Sequence, residues 1–391
     1  RASRRKRIGQ IPLEGPGPRP RPPTESMLRQ GFFGGVRSAL AAVRAVGHGE
    51  VRRSARTPLA SRASPLAAAE SRSAATRAKF YYQGAGVPTS LVSTGRVGTI
   101  RDGKGSDGEF FGVDPTPVEV EVHDGRTERL TLDDNGFALV DHAWDHVDYY
   151  NNAEVLHRYY PEVEALIRRE TGAKLVVAFD HNLRAKSKKM AGAHLEDGGN
   201  AVQEPLISYG VHNDYTATSS RARVQQLSEP PKDNDTLRPV LGSRPPIEPS
   251  QVDSLLEGRW MFINVWRNIA TTPVERFPLG MVDAASFSPE ELVVFEIRYS
   301  DRVGENYFAR HSPEHRWFYF PKLTRDEAVL LKCWDSRGRA FAGWPQTAPS
   351  GSQAPGVVPA TFSLHSGFDD LATPQEAPDR ESIEVRTVAF F

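Results

Sequence analysis

A succession of short apolar runs is the feature that most restricts how this chain can fold. Met261-Phe262-Ile263-Asn264-Val265-Trp266, Val293-Val294-Phe295-Glu296-Ile297 and Trp317-Phe318-Tyr319-Phe320 are rich in β-branched and aromatic residues. Each is too short for an ordinary helix and reads as a strand. Phe80-Tyr81-Tyr82 and Lys174-Leu175-Val176-Val177-Ala178-Phe179 have the same character. Val118-Glu119-Val120-Glu121-Val122 alternates apolar with acidic residues, the period of a half-buried strand. Residues 127–140 read as a strand pair around a turn at Asp133-Asp134-Asn135-Gly136. The chain ends on an alternating run, Ile383-Glu384-Val385-Arg386-Thr387-Val388. Helices are expected at 148–171, where Leu156, Tyr160, Val163, Leu166 and Ile167 form one stripe, and at 324–332, where Thr324 and Glu327 have capping-box spacing. The polar segments 185–200 and 344–360 are expected to be loops, the first placed to act as a lid. The sum is a β-sandwich decorated with helices.

Composition narrows the partners. Lys+Arg and Asp+Glu both number 49 among 391 residues. That balance leaves no electrostatic footprint for nucleic acid or a membrane surface, so neither is expected as a partner. Cys333 is the single cysteine. It excludes an internal disulfide and a cysteine-held metal, and favours a reducing compartment, read as the cytoplasm. No apolar run reaches the roughly 20 residues needed to span a bilayer. Residues 1–77 differ from the rest, being rich in Arg, Ala, Pro and Ser, with Glu14, Glu25, Glu50 and Glu70 as their acids. They are read as a disordered basic segment, with an organelle transit peptide or an over-extended gene model as alternatives. Within them Leu28, Phe32, Phe33, Val36, Leu40 and Val43 have the spacing of a short amphipathic helix, which Gly31, Gly34 and Gly35 weaken. Residues 78–391 are read as one folded domain.

The chemistry centres on Val211-His212-Asn213-Asp214-Tyr215-Thr216. A His and an Asp two apart on an extended segment point to the same side. An imidazole nitrogen and a carboxylate oxygen suit a borderline divalent metal such as Fe(II), and a second histidine completes a facial triad with open positions. His365, in Ser363-Leu364-His365-Ser366-Gly367-Phe368, supplies it. Arg380 and Ser382 follow, again two apart. A guanidinium fork beside a hydroxyl is a receptor for a carboxylate. The order H-x-D, distal His, R-x-S is that of 2-oxoglutarate oxygenases. Asp214 and His365 are 151 residues apart, which a long insertion around 229–250 would explain. His311 and His315 compete for the distal place, but no R-x-S follows them.

These stretches resemble a family of hydroxylase/desaturase-like proteins that includes gibberellin A4 desaturase and the cephamycin-pathway 7α-methoxylation component. The resemblance runs through Phe179-Asp180-His181-Asn182-Leu183-Arg184, the H-x-D segment, Phe262-Ile263-Asn264-Val265-Trp266-Arg267-Asn268-Ile269, Leu331-Lys332-Cys333-Trp334-Asp335-Ser336 and the stretch from His365 to Arg386. It covers roughly residues 80–391 and implies a β-rich α+β fold, a double-stranded β-helix (jelly-roll) core with flanking helices and long insertions. It also implies Fe(II) on His212, Asp214 and His365, 2-oxoglutarate on Arg380 and Ser382, O₂ as co-substrate and a small-molecule substrate from secondary metabolism. Arg184, Asn264, Trp266 and Arg267 are expected to line the pocket, since polar groups in apolar strands face something that satisfies them. Tyr319 is weighed as a donor to the co-substrate against a place in the core. A methyltransferase-pathway component and a catalytically silent binding partner are the alternatives. The first lacks a strand–G-x-G–helix signature.

Overall fold

The computed structural model describes residues 75–101, 107–190, 202–205, 207, 209–300, 302–342 and 356–391. Almost all of the N-terminal segment 1–77, with its helix at 27–51, lies outside the described residues. So do most of the lid segment and most of the 344–360 loop.

Among the described residues, two sheets carry the strand pattern. The smaller has five antiparallel strands in the order Phe137–Asp141, Glu327–Asp335, Trp260–Asn268, Glu381–Phe390, Leu175–Ala185. The larger has eleven, with Leu279–Val282, His365–Gly367, His212–Asn213, Val303–Ala309 and Leu292–Arg298 adjacent at its middle. One continuous apolar cluster spans both sheets, from Phe80, Met281 and Tyr307 on the larger to Phe262, Leu330 and Val385 on the smaller. All nine residues of Trp260–Asn268 are buried. A strand covered on both faces loses its polar–apolar alternation, which is why this run reads as nearly continuous hydrophobics.

The far face of the small sheet is covered by the helix Tyr160–Thr171, which lies against Leu175–Ala185 and Glu381–Phe390. Tyr160, Val163, Leu166 and Ile167 are its buried stripe. Gly172 ends it in the left-handed conformation, φ 72°, with its N–H on the Arg168 carbonyl.

Three expectations change. The helix at 148–171 is Asn152–Glu154, a π turn at Val155–Tyr159 and then Tyr160–Thr171. Pro161 has no N–H to offer the preceding turn, so the ladder widens there. The helix at 324–332 is the strand Glu327–Asp335. The Thr324 amide and hydroxyl do donate to Glu327 Oε2, at 2.8 and 2.9 Å, but the contact closes a turn. The β-forming run Val329-Leu330-Leu331 then pairs with Trp266, Val265 and Asn264, and tertiary burial overrides the cap signal. Residues 127–140 give one strand, Phe137–Asp141. The Asp133–Gly136 turn is present, with the Asn135 and Gly136 amides both on the Thr131 carbonyl. Among its described residues the long Asp214–His365 interval holds six strands as well as a helical excursion through Ala217–Gln226, Arg238–Leu241 and Val252–Glu257. The 229–250 segment is only part of it. No helix among the described residues is long and apolar enough to cross a membrane.

Candidate metal centre and the charged face behind it

His212 and His365 are directly opposite each other on adjacent antiparallel strands, and their ring centroids are 4.5 Å apart. Asp214 follows two residues after His212, its Oδ1 3.7 Å from His212 Nε2. One potential ligand atom from each of the three lies within 4.8 Å of the others. Local chemistry fixes this shape. Gly210, at φ 121°, bends the chain so that its carbonyl accepts from His212 Nδ1 at 2.8 Å. Asn213 points the other way and donates to the Tyr215 and Cys333 carbonyls at 2.6 and 2.9 Å, tying the segment to Glu327–Asp335. Thr216 then caps the next helix in a capping box with Ser219.

A carbonyl oxygen only accepts, so Nδ1 of both histidines carries the proton: His212 toward Gly210, and His365 toward Ser363 at 3.3 Å. Both Nε2 lone pairs are left bare, the arrangement of a metal-ligating imidazole with its outer hydrogen bond in place. Burial pushes the His212 pKa down to about 4, helped by the neighbouring His365. Burial also lowers that of His365. Burial alone would raise the Asp214 carboxyl. The charges of Arg386, His365 and His212 outweigh it and hold Asp214 well below the usual carboxylate range. At neutral pH the set is therefore two neutral imidazoles and one carboxylate, the protonation states that metal binding needs.

Behind the triad, the inner face of the small sheet is charged. Ser382, Glu384 and Arg386 alternate along the terminal strand toward this face, with Asp180, Asn182 and Arg184 opposite on one neighbour and Asn264, Trp266 and Asn268 on the other. Asp214 Oδ2 accepts from Asn264 Nδ2 at 2.8 Å and from Arg386 Nε at 3.4 Å. Asn264 Nδ2 also donates to Glu384 Oε1 at 3.1 Å. Arg386 Nη1 donates to Asp180 Oδ2 at 2.9 Å, and Thr236 Oγ1 donates to Asp180 Oδ1 at 2.7 Å. Burial, then the charge of Asp214, raises the Glu384 carboxyl. Burial opposes the charge on Arg386, but Asp214, Asp180 and Glu384 keep it firmly protonated.

Arg380 is 4% exposed. Its guanidinium lies over Trp266, 5.4 Å from the ring centre, and Nη1 donates to the carbonyl of Phe277, a non-glycine residue at φ 50°. Its buried Nε has no hydrogen-bond partner among the described residues. Burial and the nearby Arg184 push its pKa down to about 9. Glu384 offsets this only in part, and among the described residues no carboxylate pairs directly with the guanidinium, so a bound carboxylate fits here. Ser382 is buried and faces Arg184 across the ladder. Arg184 Nη1 donates to the Glu204 carbonyl at 2.9 Å.

The structure therefore gathers His212, Asp214 and His365 at one point and places Asn264, Trp266, Arg184, Arg380 and Ser382 along the adjoining face. Arg267 is a correction. One residue beyond Trp266, it points to the opposite face of the sheet. There it donates to the Tyr159 hydroxyl at 3.1 Å and to the carbonyls of His142 and Arg325. It secures the outer layer and does not line the site. Tyr319 packs edge-on against Phe368, centroids 5.5 Å apart, as a core residue. His315 is bound to Tyr82 and Glu291, and His181 to Tyr160. Glu384 and Arg386 join the site beyond the residues expected of it, and Asp180 pairs with Arg386. The alternation Arg380-x-Ser382-x-Glu384-x-Arg386 is the sequence signal for Glu384 and Arg386.

The model of the oxidoreductase/YMDC permease-like domain family matches residues 98–390. A protein of Methylophilus leisingeri encoded in the dcmA 3′ region is 37% identical over 188 residues, 47% of this chain and 86% of the relative. The alpha-ketoglutarate-dependent dioxygenase phiK of a fungal species is 28% identical over 70% of this chain and 83% of its own length. Other fungal relatives are named hydroxylase/desaturase. Among solved structures, the iron and alpha-ketoglutarate-dependent endoperoxidase NvfI superposes with a TM-score of 0.58 at 22% identity, covering 82% of this chain and 99% of that one. NvfI thus shares the fold. With three-quarters of its length inside one family model, the chain belongs to the oxidoreductase/YMDC permease-like domain family.

Proposed function

We propose that this chain is a non-haem iron(II), 2-oxoglutarate-dependent oxygenase that hydroxylates or desaturates a small organic molecule in secondary metabolism, on a jelly-roll core. The observation that carries the reading is the convergence of His212, Asp214 and His365 with both Nε2 atoms bare. The dioxygenase and hydroxylase/desaturase names of the relatives agree with it. In this reading His212, Asp214 and His365 hold the iron. Arg380 and Ser382 hold the distal carboxylate of 2-oxoglutarate, the anion that the buried Arg380 lacks. Iron(II) with 2-oxoglutarate and O₂, when bound, supplies the oxidising power to break an unactivated C–H bond as the co-substrate becomes succinate and CO₂.

The chain's own residues position and insulate. The backbone carbonyls of Gly210 and Ser363 fix the two ring orientations. Trp266 provides an apolar floor beneath the Arg380 guanidinium, its ring centre 5.4 Å away. The apolar cluster around the triad, with Phe308 and Tyr209 against His212, excludes water and raises the strength of each electrostatic contact. We read the protein as cytoplasmic, a reading that the single, unpaired Cys333 supports because it fits a reducing compartment.

The test is anaerobic addition of Fe(II) and 2-oxoglutarate, read as a visible charge-transfer band, followed by succinate release in air with candidate substrates. The band disappears in His212→Ala and Asp214→Ala. A band untouched by both changes overturns the ligand assignment. Failure of 2-oxoglutarate to bind metal-loaded wild type overturns the reading as a whole and favours a silent binding role.

A further inference from the structure

The two oxygens of Asp214 are not equivalent. Oδ1 faces His212 Nε2 at 3.7 Å. Oδ2 is taken by two donors from the small sheet, Asn264 Nδ2 at 2.8 Å and Arg386 Nε at 3.4 Å. Neither donor is free to move. The Asn264 amide is also engaged by Glu384 at 3.1 Å. The Arg386 guanidinium is held at its other end by Asp180 at 2.9 Å, and Glu384 is 3.8 Å away. Asp180 is in turn anchored by Thr236. Asn264 and Arg386 face each other across the ladder, so both donors come from one rigid sheet and approach the carboxylate from the same side.

We propose that Asn264 and Arg386 are positioning residues that keep Asp214 a one-oxygen ligand, so that the metal retains three open positions. The inference rests on the iron–2-oxoglutarate reading above. An aspartate free to turn can offer both oxygens to one ion, as carboxylates do. Two histidines and a two-oxygen carboxylate would leave two positions on a six-coordinate ion, too few for a chelating 2-oxo acid and one further ligand. Tying Oδ2 to the sheet removes that option before any ligand arrives. The role is distinct from charge balance: Asn264 is neutral, and it makes the shorter of the two contacts.

The experiment compares two affinities in the full chain. Mn(II) is titrated first, and 2-oxoglutarate is then titrated into the Mn(II)-loaded protein. In Asn264→Leu, which removes the shorter of the two Oδ2 contacts without changing charge, 2-oxoglutarate affinity falls by about 10-fold or more, the scale of outer-sphere changes, and Mn(II) affinity falls by less than this or rises. Arg386→Lys, which keeps the cation and loses the Nε donor, shows the same ordering. Equal losses of both affinities, or no change in either, overturn the proposal. Wild-type protein that binds no Mn(II) through His212 overturns the underlying function instead. A measurement needing no variant covers the case of poor folding. In the infrared difference spectrum on Mn(II) addition to ¹³C-aspartate-labelled wild type, a one-oxygen carboxylate widens the separation of its asymmetric and symmetric stretches relative to the free ion. A narrowed separation overturns the proposal.

Discussion

Arg380→Met should make the metal-free protein more stable while abolishing its grip on 2-oxoglutarate. The guanidinium is almost fully buried, beside a second arginine, and its pKa is pushed from the usual 12.5 down to about 9. At about 1.4 kcal/mol per tenfold, holding that charge in the folded state costs roughly 5 kcal/mol as a ceiling. Against this stand the hydrogen bond to Phe277, about 1–2 kcal/mol, and the contact over Trp266, about 1 kcal/mol. Methionine has similar length, fills irregular space and brings no charge. The net expectation is a gain of about 1–3 kcal/mol, read as a higher urea midpoint at unchanged m-value. In parallel, 2-oxoglutarate binding to the Mn(II)-loaded variant is lost, whereas pyruvate, which has no distal carboxylate, binds as to wild type. A variant destabilised by more than about 1 kcal/mol would show that Arg380 is structural. Retained 2-oxoglutarate affinity would show that the anion it awaits is a different one. The opposed signs matter, since a residue kept against stability is kept for a ligand.

Asp214→Asn keeps shape and removes the charge, so Mn(II) affinity should fall by more than about 100-fold, beyond the 10–100-fold of outer-sphere changes; a smaller loss in calorimetric titration would remove Asp214 from the ligand set. Arg267→Met should cost about 2–4 kcal/mol by chemical denaturation, because it strips donors from Tyr159, His142 and Arg325, and should leave 2-oxoglutarate affinity unchanged; a selective loss of affinity would return Arg267 to the site. Buried His181, on Tyr160, has a pKa pushed from 6.5 down to about 4 by burial. Between those values the unfolded chain binds the extra proton, so stability drops as pH falls through that window, by up to roughly 3 kcal/mol. His181→Phe should flatten this part of the acid limb in urea titrations at pH about 7 and about 4.5, and an unchanged slope would refute the assignment.

The strand runs were legible because a sheet buried on both faces writes itself as β-branched and aromatic residues, as in Trp260–Asn268. Their partners were not. Pairing His365 with His212 needs six intervening strands to be laid down elsewhere, and nothing local encodes that. The misread helix at 324–332 shows the same limit from the other side. Its Thr324–Glu327 contact is real, so the local signal was correct. What decided the conformation was burial of Leu330 and Leu331 against the neighbouring strand, a non-local term worth more than a cap.

For the site, parity separates what could be read from what was. Along Asn264-Val265-Trp266-Arg267, a strand sends Asn264 and Trp266 to one face and Arg267 to the other. Placing all three in one pocket conflicts with that alternation, so Arg267 is separable from the other two in the sequence itself. The same rule applied to the terminal strand and the residue before it puts Arg380, Ser382, Glu384 and Arg386 on a single face, which adds Glu384 and Arg386 to the site. Parity could not show that this face is turned toward His212, or that Arg386 lands on the metal carboxylate and not on solvent. That follows from the ladder placing Arg386 beside both Asn264 and Asp180. Three acids around one arginine are stable only if their charges are held apart and shared, and Asp214 can be shared with an ion only through the oxygen that Arg386 leaves alone. If His212, Asp214 and His365 hold the iron as proposed, the ionic network behind them is part of that centre's construction, and a substitution in it should be read first in ligand affinities and only then in turnover.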